Sequence, residues 1–343
     1  MAIRLKELAQ HLGLSQTTVS RALNGYPEVS MRTRSRVAEA AAHYDYHPNS
    51  NAQNLAKGRS GSIGIVFQPE RKMLLEPLFA DYLAGVAETT ALHDLAITLS
   101  TPSSDREEEA YRRAAAALQV DGLLLSSPKV EDKRLRILAE TNIPFILHGR
   151  TVASAPYAFL DIDNEGAFFA ATKLLIDLGH RRIALLNAEI DYTFACHREA
   201  GFRRAVGGVS DPTMKAWSLE GQMTDEYGYR NALACLQAPR RPTAFVCAST
   251  LMVPGVMRAA REFGLQIGRD LALIAHDDRI SQLRPDYFDP PLSTTQSSIR
   301  DAGRRVAEML IARIGGAAIE DLQEIWTPEL VVRGSTPPPL QKD

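Results

Sequence analysis

The sequence predicts an α/β protein in two parts: an N-terminal helix-turn-helix headpiece and a larger two-lobed core of doubly wound parallel sheets. Three observations predict it. The first 48 residues contain three short amphipathic helical patterns separated by turns. From residue 63 onward, short apolar runs alternate with amphipathic segments, which is typical of parallel sheets covered by helices on both faces. Residues 1–60 carry eight Lys or Arg against four Asp or Glu, whereas the whole chain has a net charge of −2. A basic head on an acidic body is expected when only the head meets a polyanion.

Length and composition exclude several classes of protein. The 343 residues suit two unequal domains. Three cysteines without paired spacing argue against a disulfide framework or a zinc site and favour a reducing compartment, so we expect a cytoplasmic, nucleoid-associated protein. The sequence shows no signal-peptide pattern and no apolar run of about 18 residues, so no membrane partner is expected. We also expect no metal and no cofactor.

The head reads as three consecutive helices. Apolar residues recur at helical spacing up to Leu12, and Gly13 is typical of a helix end. Ser15 predicts the N-cap of a second helix that runs to about Asn24, and Ser30 predicts the cap of a third. In a helix-turn-helix unit the second helix lies in the major groove of DNA.

The second helix should present a polar face. Gln and Arg side chains can bond bidentately to base edges, while hydroxyl and amide groups can bind phosphates. The pattern alone equally fits a small three-helix bundle with a solvated polar face. The residues of the head predicted to contact DNA are Leu5, Gln16, Thr17, Thr18, Ser20, Arg21, Asn24, Ser30, Thr33 and Arg34.

The string from Leu8 to Gly25 closely resembles the headpiece of the LacI/GalR family of bacterial regulators. The likeness continues through Tyr46-His47-Pro48-Asn49 to a segment that resembles the family's hinge helix. It implies a headpiece over 1–48, and a hinge and linker over 49–61. It also implies that two hinge helices pair on the minor groove and wedge a leucine into a base step. The hinge residues so implied are Asn49, Ala52, Gln53, Leu55 and Ala56; the alternative makes Leu55 a linker residue packed on the body.

The body, residues 62–340, alternates strands and helices. The predicted strands are Ile63–Phe67, Leu95–Leu99, Gly122–Ser126, Pro144–Leu147, Phe159–Ile162, Arg182–Leu186, Ala244–Ala248 and Leu271–Ala275. The predicted helical segments are Phe79–Leu92, Arg106–Leu118, Gly166–Leu178, Arg198–Val206, Tyr227–Leu236 and Val253–Phe263. This number of parallel strands favours two lobes over one sheet, with a ligand cleft at the carboxyl ends of the strands.

Four motifs of the body resemble the periplasmic-binding-protein type I core. They are Asp161–Gly166, the Arg-x-x-Gly-Phe motif at Arg198–Phe202, the paired Asp turn at Ala275–Asp278, and the closing strand at Leu330–Ser335. The resemblance therefore covers essentially the whole chain. It implies an N-lobe of about 62–160 and 292–323, and a C-lobe of about 161–291 and 324–336.

The predicted effector site centres on a fork of donors and a carboxylate, each near the carboxyl end of a strand. Arg198 and Asp277 suit the vicinal hydroxyls of a sugar, and aromatic faces commonly complete such sites. The alternatives are an interlobe salt bridge for the charged pair and core packing for the aromatics, notably Phe79. The residues predicted to contact the effector are Gln68, Phe79, Asp163, Tyr192, Phe194, Arg198, Ser249 and Asp277.

One departure from the family pattern concerns the pocket. After the strand Ala244–Ala248 the family usually shows Asn-Asp, whereas this chain has Ser249-Thr250. The shorter side chains predict a roomier pocket, which leaves a larger saccharide and a non-sugar metabolite both open.

The predicted function is transcriptional regulation rather than catalysis, because no nucleophile elbow, P-loop or metalloprotease motif is present. We expect a homodimeric repressor on a pseudo-palindromic, double-stranded operator, released by a small-molecule effector, a mono- or disaccharide. The tail after Arg333 has no heptad repeat, so no tetramerising coiled coil is expected. The alternatives are a corepressor-dependent regulator that responds to a non-sugar metabolite, and a stand-alone solute-binding protein.

Overall fold

A computed structural model describes residues 3–46, 59–67, 77–103, 106–116 and 119–340. The chain forms two compact units, residues 1–61 and 62–343. The first unit is called the head and the second the core. Among the described residues, no helix is both long enough and apolar enough to cross a bilayer.

The head contains the three predicted helices, α1 (Leu5–Leu12), α2 (Gln16–Leu23) and α3 (Met31–His43). Gly13 ends α1 with a φ of 63°, a left-handed conformation that favours glycine. Ser15 and Ser30 cap the next two helices as predicted, and the Ser15 hydroxyl accepts a 3.0 Å bond from the Thr18 amide. The helices enclose a small apolar core of Leu8, Ala9, Leu12, Val19, Ala22, Val29, Val37 and Ala41.

The core contains two six-stranded sheets. The first, in spatial order, is β11-β5-β4-β3-β1-β2, and the second is β12-β10-β9-β8-β6-β7. All described strand pairs are parallel except β10 with β12. The strands are β1 (Ser62–Val66), β2 (Ala96–Ser100), β3 (Gly122–Ser126), β4 (Phe145–His148), β5 (Ala158–Ile162), β6 (Arg182–Ala188), β7 (Lys215–Gly221), β8 (Ala244–Cys247), β9 (Ala272–Asp277), β10 (Ser293–Gln296), β11 (Gln323–Trp326) and β12 (Glu329–Val331).

Helices follow most of the strands, as the alternating pattern predicts. They are α4 (Pro77–Leu92), α5 (Glu107–Ala116), α6 (Lys133–Ala139), α7 (Asn164–Asp177), α8 (Thr193–Gly207), α9 (Asp225–Gln237), α10 (Val253–Glu262) and α11 (Ile299–Ile314). Close contact joins α4 to α11, because a Cβ on Gly303 would lie 2.2 Å from the Tyr82 carbonyl oxygen. Only glycine allows the two backbones to approach this far.

The chain passes between the two sheets after β5, after β10 and after β11. These passages differ from the expected lobe boundaries. The expected N-lobe segment 292–323 includes β10, which belongs to the second sheet, and the expected C-lobe segment from 324 includes most of β11, which belongs to the first. The reason is that β10 reads Ser-Thr-Thr-Gln, whose buried hydroxyl side chains give no apolar run to signal a strand.

The edge strand β7 was not among the sequence-predicted strands either. None of the residues of β7 is fully buried, and buried and exposed residues do not alternate along it. Its sequence accordingly shows neither a continuous apolar run nor strict alternation. The eight strands predicted from apolar runs are all present, within a residue or two at each end.

Candidate functional site

The outward face of α2 carries the side chains predicted to read DNA. Gln16, Thr17 and Arg21 are exposed, while Val19 is buried in the head core. The side chain of Arg21 has no hydrogen-bond or ion-pair partner among the described residues, so its donors are available to a base edge.

Other predicted DNA contacts are partly used within the head. The Asn24 amide donates to the Ser20 carbonyl at 2.8 Å, and the Thr18 hydroxyl lies 2.8 Å from that of Ser15. Arg34 donates to the Val29 and Tyr26 carbonyls, at 2.9 Å each. Arg34 therefore fixes the turn between α2 and α3. Leu5 packs against the apolar core, and the hydroxyls of Ser30 and Thr33 bond to each other at 2.9 Å.

Six predicted site residues cannot be placed. The hinge residues Asn49, Ala52, Gln53, Leu55 and Ala56, and the effector-site residue Gln68, lie outside the described residues.

Arg198 lies on α8 of the second lobe among buried polar and aromatic groups. Its side chain is buried, Nε donates to Asn164 Oδ1 at 2.8 Å and Nη1 to the Ala248 carbonyl at 2.7 Å. The guanidinium also lies over the rings of Phe168 and Phe194, at 5.1 and 4.8 Å from their centroids. Burial lowers the pKa of Arg198 to about 10, so the group remains charged at neutral pH.

Two carboxylates lie close enough to Arg198 to raise its pKa. Asp278 and Asp161 are the carboxylates that act on the pKa of Arg198, whereas Asp277 is not among them. Asp277 instead accepts the Arg279 amide at 2.8 Å, and burial raises its pKa to about 6. The salt bridge between Arg198 and Asp277, the alternative interpretation, is therefore not formed, and the contact of Asp277 with an effector stays a prediction. Because neighbouring strand residues point to opposite faces, a choice between two adjacent Asp residues requires the register of the strand.

The first lobe supplies an aromatic and imidazole wall. His148, at the end of β4, stacks on Tyr82 with 5.4 Å between centroids. Burial lowers the pKa of His148 to about 4, and Asp278 of the opposite lobe opposes that shift. Two buried hydroxyls, Tyr82 Oη and Thr250 Oγ1, have no hydrogen-bond partner among the described residues. These polar groups are unsatisfied, which is costly unless a ligand or solvent bonds to them.

Sequence reasoning missed Asn164, His148, Tyr82 and Asp278 as site residues. His148 and Asp278 lie at or just after the carboxyl ends of β4 and β9. That position is a usable signal for ligand sites in parallel sheets. No comparable signal distinguished Tyr82, because its hydroxyl reaches the site from within α4.

Of the remaining predicted effector residues, two bond to backbone amides and one packs in an apolar cluster. Asp163 caps α7 by accepting the Gly166 amide at 2.9 Å, and Ser249 is fully buried and accepts the Leu251 amide at 3.2 Å. Phe79 is buried against Phe67, with centroids 5.4 Å apart. Core packing, the alternative interpretation of Phe79, fits this position.

Tyr192 and Phe194 stack on each other with their centroids 5.6 Å apart. Phe194 also contacts Arg198, so this aromatic pair does border the predicted site.

Direct hydrogen bonds join the two lobes at one edge of the space between them. The Thr193 amide donates to the Pro128 carbonyl and the Val130 amide to the Asp191 carbonyl, each at 3.0 Å. We call this set, residues 128–130 with 191–193, the clasp. A third bond runs from the Ser281 amide to Asp81 Oδ2 at 3.1 Å.

A trihelical head with an exposed polar second helix, together with a two-lobed core that encloses buried polar groups, defines the class of DNA-binding regulators that sense small molecules. Residues 4–49 match the family model for bacterial regulatory proteins of the lacI family, and residues 172–336 match that for a periplasmic binding protein-like domain. The chain belongs to the lacI family of bacterial regulatory proteins; it is a helix-turn-helix transcriptional regulator and not an enzyme.

Known relatives cover the chain almost completely. The HTH-type transcriptional regulator AglR of Rhizobium meliloti (strain 1021) is 44% identical over 98% of this chain and 95% of its own. The lac repressor dimer bound to operator and the anti-inducer ONPF superposes with a TM-score of 0.83 at 25% identity, over 98% and 100% of the two chains. The complex of the transcriptional regulator CelR with cellobiose superposes with a TM-score of 0.69 at 28% identity, over 97% and 99%.

Proposed function

We propose that the protein is a repressor that binds a pseudo-palindromic operator as a homodimer and is released by a mono- or disaccharide bound between its lobes. The single observation that carries the proposal is the set of buried polar groups around Arg198, which come from both lobes. The relatives support it: one solved relative is a repressor dimer on its operator, and another holds cellobiose.

The groups around Arg198 suit a sugar. Hydroxyls both donate and accept, and the site offers a guanidinium fork, the Asp278 carboxylate, and the unpartnered hydroxyls of Tyr82 and Thr250. Phe194 supplies an apolar face of the kind on which sugar rings pack.

The site takes residues from both lobes, and this suggests how saccharide binding is coupled to DNA binding. Arg198 and Asp278 belong to the second lobe, while His148 and Tyr82 belong to the first. A saccharide that bonds to both sets favours one arrangement of the lobes, and it can shift DNA affinity only by its difference in affinity for the two arrangements. We propose that saccharide binding lowers the affinity for the operator and so releases the protein from it.

The hinge is proposed from sequence alone. Residues 49–56, outside the described residues, would pair on the minor groove, with Leu55 wedged into a base step. We expect Leu55→Ala to weaken specific binding and to reduce operator bending, as measured by energy transfer between the ends of a labelled duplex. An unchanged bend angle would refute the wedge.

The decisive experiment titrates the protein onto a labelled promoter duplex, with and without cellobiose and a panel of other mono- and disaccharides. We expect one saccharide to lower the operator affinity at least tenfold, with no effect on a scrambled duplex. Asp278→Asn should remove this response and retain operator binding. Asp177→Asn, on the exposed face of α7, is the matched control and should respond normally.

Three results would contradict parts of this proposal. Equal affinity for promoter and scrambled duplex would refute sequence-specific binding. Tighter operator binding with the saccharide would replace release by corepression. A full response in Asp278→Asn would show that this carboxylate does not bind the effector.

A further inference from the structure

A second groove lies beside the clasp, outside the space around Arg198. Its volume is about 570 Å³ and both lobes line it. Val130, Arg150, Tyr157 and Phe159 come from the first lobe, and Cys196 and His197 from α8 of the second. Phe194 and Arg198, on the same helix, contact each other at the effector site instead. The first turns of α8 therefore separate the groove from the proposed saccharide site.

The lining of the groove is apolar with one fixed cation. Among the described residues that line it, Arg150 is the only Lys, Arg, Asp or Glu. Its Nε donates to Asp161 Oδ2 at 2.8 Å, while more than a third of its side chain is exposed to solvent. Asp161 itself is only 4% exposed, so the solvent-facing part of this pair is the guanidinium.

One residue that lines the groove, His197, has an unsatisfied polar atom. Nδ1 of His197 is buried and has no hydrogen-bond partner among the described residues. A buried ring nitrogen without a partner is unfavourable, and a ligand or a ligand-bound water that reaches it would remove the cost.

We propose that this groove is a second ligand site, which takes a small amphipathic anion. Its carboxylate or phosphate bonds to the free donors of Arg150, and its aromatic or aliphatic body packs on Tyr157, Phe159 and Val130. Arg is well suited to either head group, because its planar fork can bond two oxygens at once.

Two features couple this groove to the effector site. Asp161 bonds to Arg150, and it is close enough to Arg198 for its negative charge to raise the pKa of Arg198. An anion bound to Arg150 weakens the ion pair between Arg150 and Asp161. The negative charge of Asp161 then attracts Arg198 more strongly. In addition, the ligand contacts both lobes next to the clasp and therefore favours the lobe arrangement in which the clasp is formed.

Linkage requires that the coupling be reciprocal: the anion changes saccharide affinity by the same factor as the saccharide changes anion affinity. This coupling rests on the proposed function, whereas the binding of the anion does not. The two claims can therefore fail separately.

The experiment is a calorimetric titration of the full chain with 1-naphthyl phosphate, 1-naphthoate, 1-naphthol and inorganic phosphate. We expect the phosphate or the carboxylate of naphthalene to bind at least tenfold more tightly than either 1-naphthol or inorganic phosphate. The tighter of the two anions identifies the preferred head group. Saccharide binding, measured with the anion present, should change in affinity but should not be competitive.

Two variants localise the site. Arg150→Gln removes the cation, and Cys196→Phe fills the groove while leaving Arg150 in place; each should weaken anion binding at least tenfold. Arg113→Gln, a surface arginine of the same lobe that lines neither this groove nor the cavity adjoining it, is the matched control and should bind like the wild type. Thermal melting of each variant checks that it is folded.

The outcomes separate the claims. No anion binding by the wild type, or unchanged binding in Arg150→Gln and Cys196→Phe, overturns the site. Strict competition with the saccharide also overturns it, because the anion would then occupy the effector site; this test holds even if a variant fails to fold. Anion binding that leaves saccharide affinity unchanged overturns the coupling alone, and anion binding without any saccharide response counts against the proposed function alone.

Discussion

The head and the space between the lobes place their polar side chains in opposite environments. On α2 the side chains that would read DNA are exposed, and the eight-residue apolar core of the head holds them in position from behind. Around Arg198 the polar groups are buried, and direct hydrogen bonds to Asn164 and to the Ala248 carbonyl hold the guanidinium in place. Removing an exposed group should therefore alter binding alone, whereas removing a buried group should alter binding and stability together.

Arg198→Ala should give the largest effect. The substitution leaves Asn164 Oδ1 and the Ala248 carbonyl without their charged donor in a buried place, so we expect a loss of about 3 kcal/mol in the free energy of unfolding of the core. The saccharide response should also disappear. Chemical denaturation followed by fluorescence measures the first effect. Arg203→Ala, exposed on the same helix, is the control and should change stability by less than about 0.5 kcal/mol. Equal losses of unfolding free energy in the two variants would contradict the expected difference between buried and exposed polar groups.

Arg21→Ala should show the opposite behaviour. We expect operator binding to weaken by about 1–3 kcal/mol at one operator position, with unchanged thermal stability, because the side chain is exposed and has no partner among the described residues. Arg34→Ala is the informative contrast, since it removes two bonds to backbone carbonyls and should lower the stability of the head. An equal loss for Arg21→Ala on random DNA would show that this residue does not read a base.

The buried side chains of Asp277 and His148 should make the free energy of unfolding change with pH in opposite directions. Burial raises the pKa of Asp277 to about 6, so the folded protein keeps a proton between about pH 4 and pH 6 that the unfolded chain releases. This group therefore makes stability fall as pH rises through that window, and Asp277→Asn should gain stability relative to the wild type from pH 4 to pH 6. Asp278, Arg279 and Arg333 are the charged groups that act on Asp277.

His148→Gln tests the opposite sign. Burial lowers the pKa of His148 to about 4, so the unfolded chain holds a proton that the folded protein excludes between about pH 4 and pH 6.5. The histidine makes stability rise with pH in that window, and its replacement should remove the rise. Denaturation midpoints of both variants, measured against the wild type at half-unit pH steps, give the two slopes. Slopes of the same sign would contradict one of the two burial effects.

Ser15→Ala should give the smallest effect. Loss of the N-cap of α2 should cost about 1 kcal/mol in the stability of the head, because the Thr18 amide loses its acceptor. Amide hydrogen exchange of α2 in the full chain measures this change locally. Ser35→Ala, exposed within α3, is the control. If both variants exchange at the wild-type rate, the capping bond does not stabilise the head.

The sequence predicted most of the head and most of the sheets, since both are encoded locally. Helical spacing and capping serines fixed the bounds of the three head helices, and apolar runs marked eight of the twelve strands. The expected lobe boundaries failed at β10 and β11. Their place in a sheet depends on which distant strand they pair with, and neither contains a continuous apolar run to indicate it.

The effector site was predicted in outline only. Arg198 and Phe194 were found from a motif and from composition, and the structure brings them together. The proximity of Asp278 to Arg198 could not be predicted from sequence, because adjacent residues differ in the face that they present. Asn164 and Tyr82 were missed because their contacts join segments far apart in the chain.

The passages of the chain between its sheets have a consequence for biosynthesis. The first sheet is complete only when β11 (Gln323–Trp326) has been made, and the second only when β12 (Glu329–Val331) has followed. The head needs nothing beyond its own first residues to enclose its apolar core. During translation, which adds about 5–20 residues per second, the head can therefore fold many seconds before either lobe can close its sheet. A ribosome stalled in the last fifth of the message would therefore carry a chain whose head is folded and whose core is still incomplete.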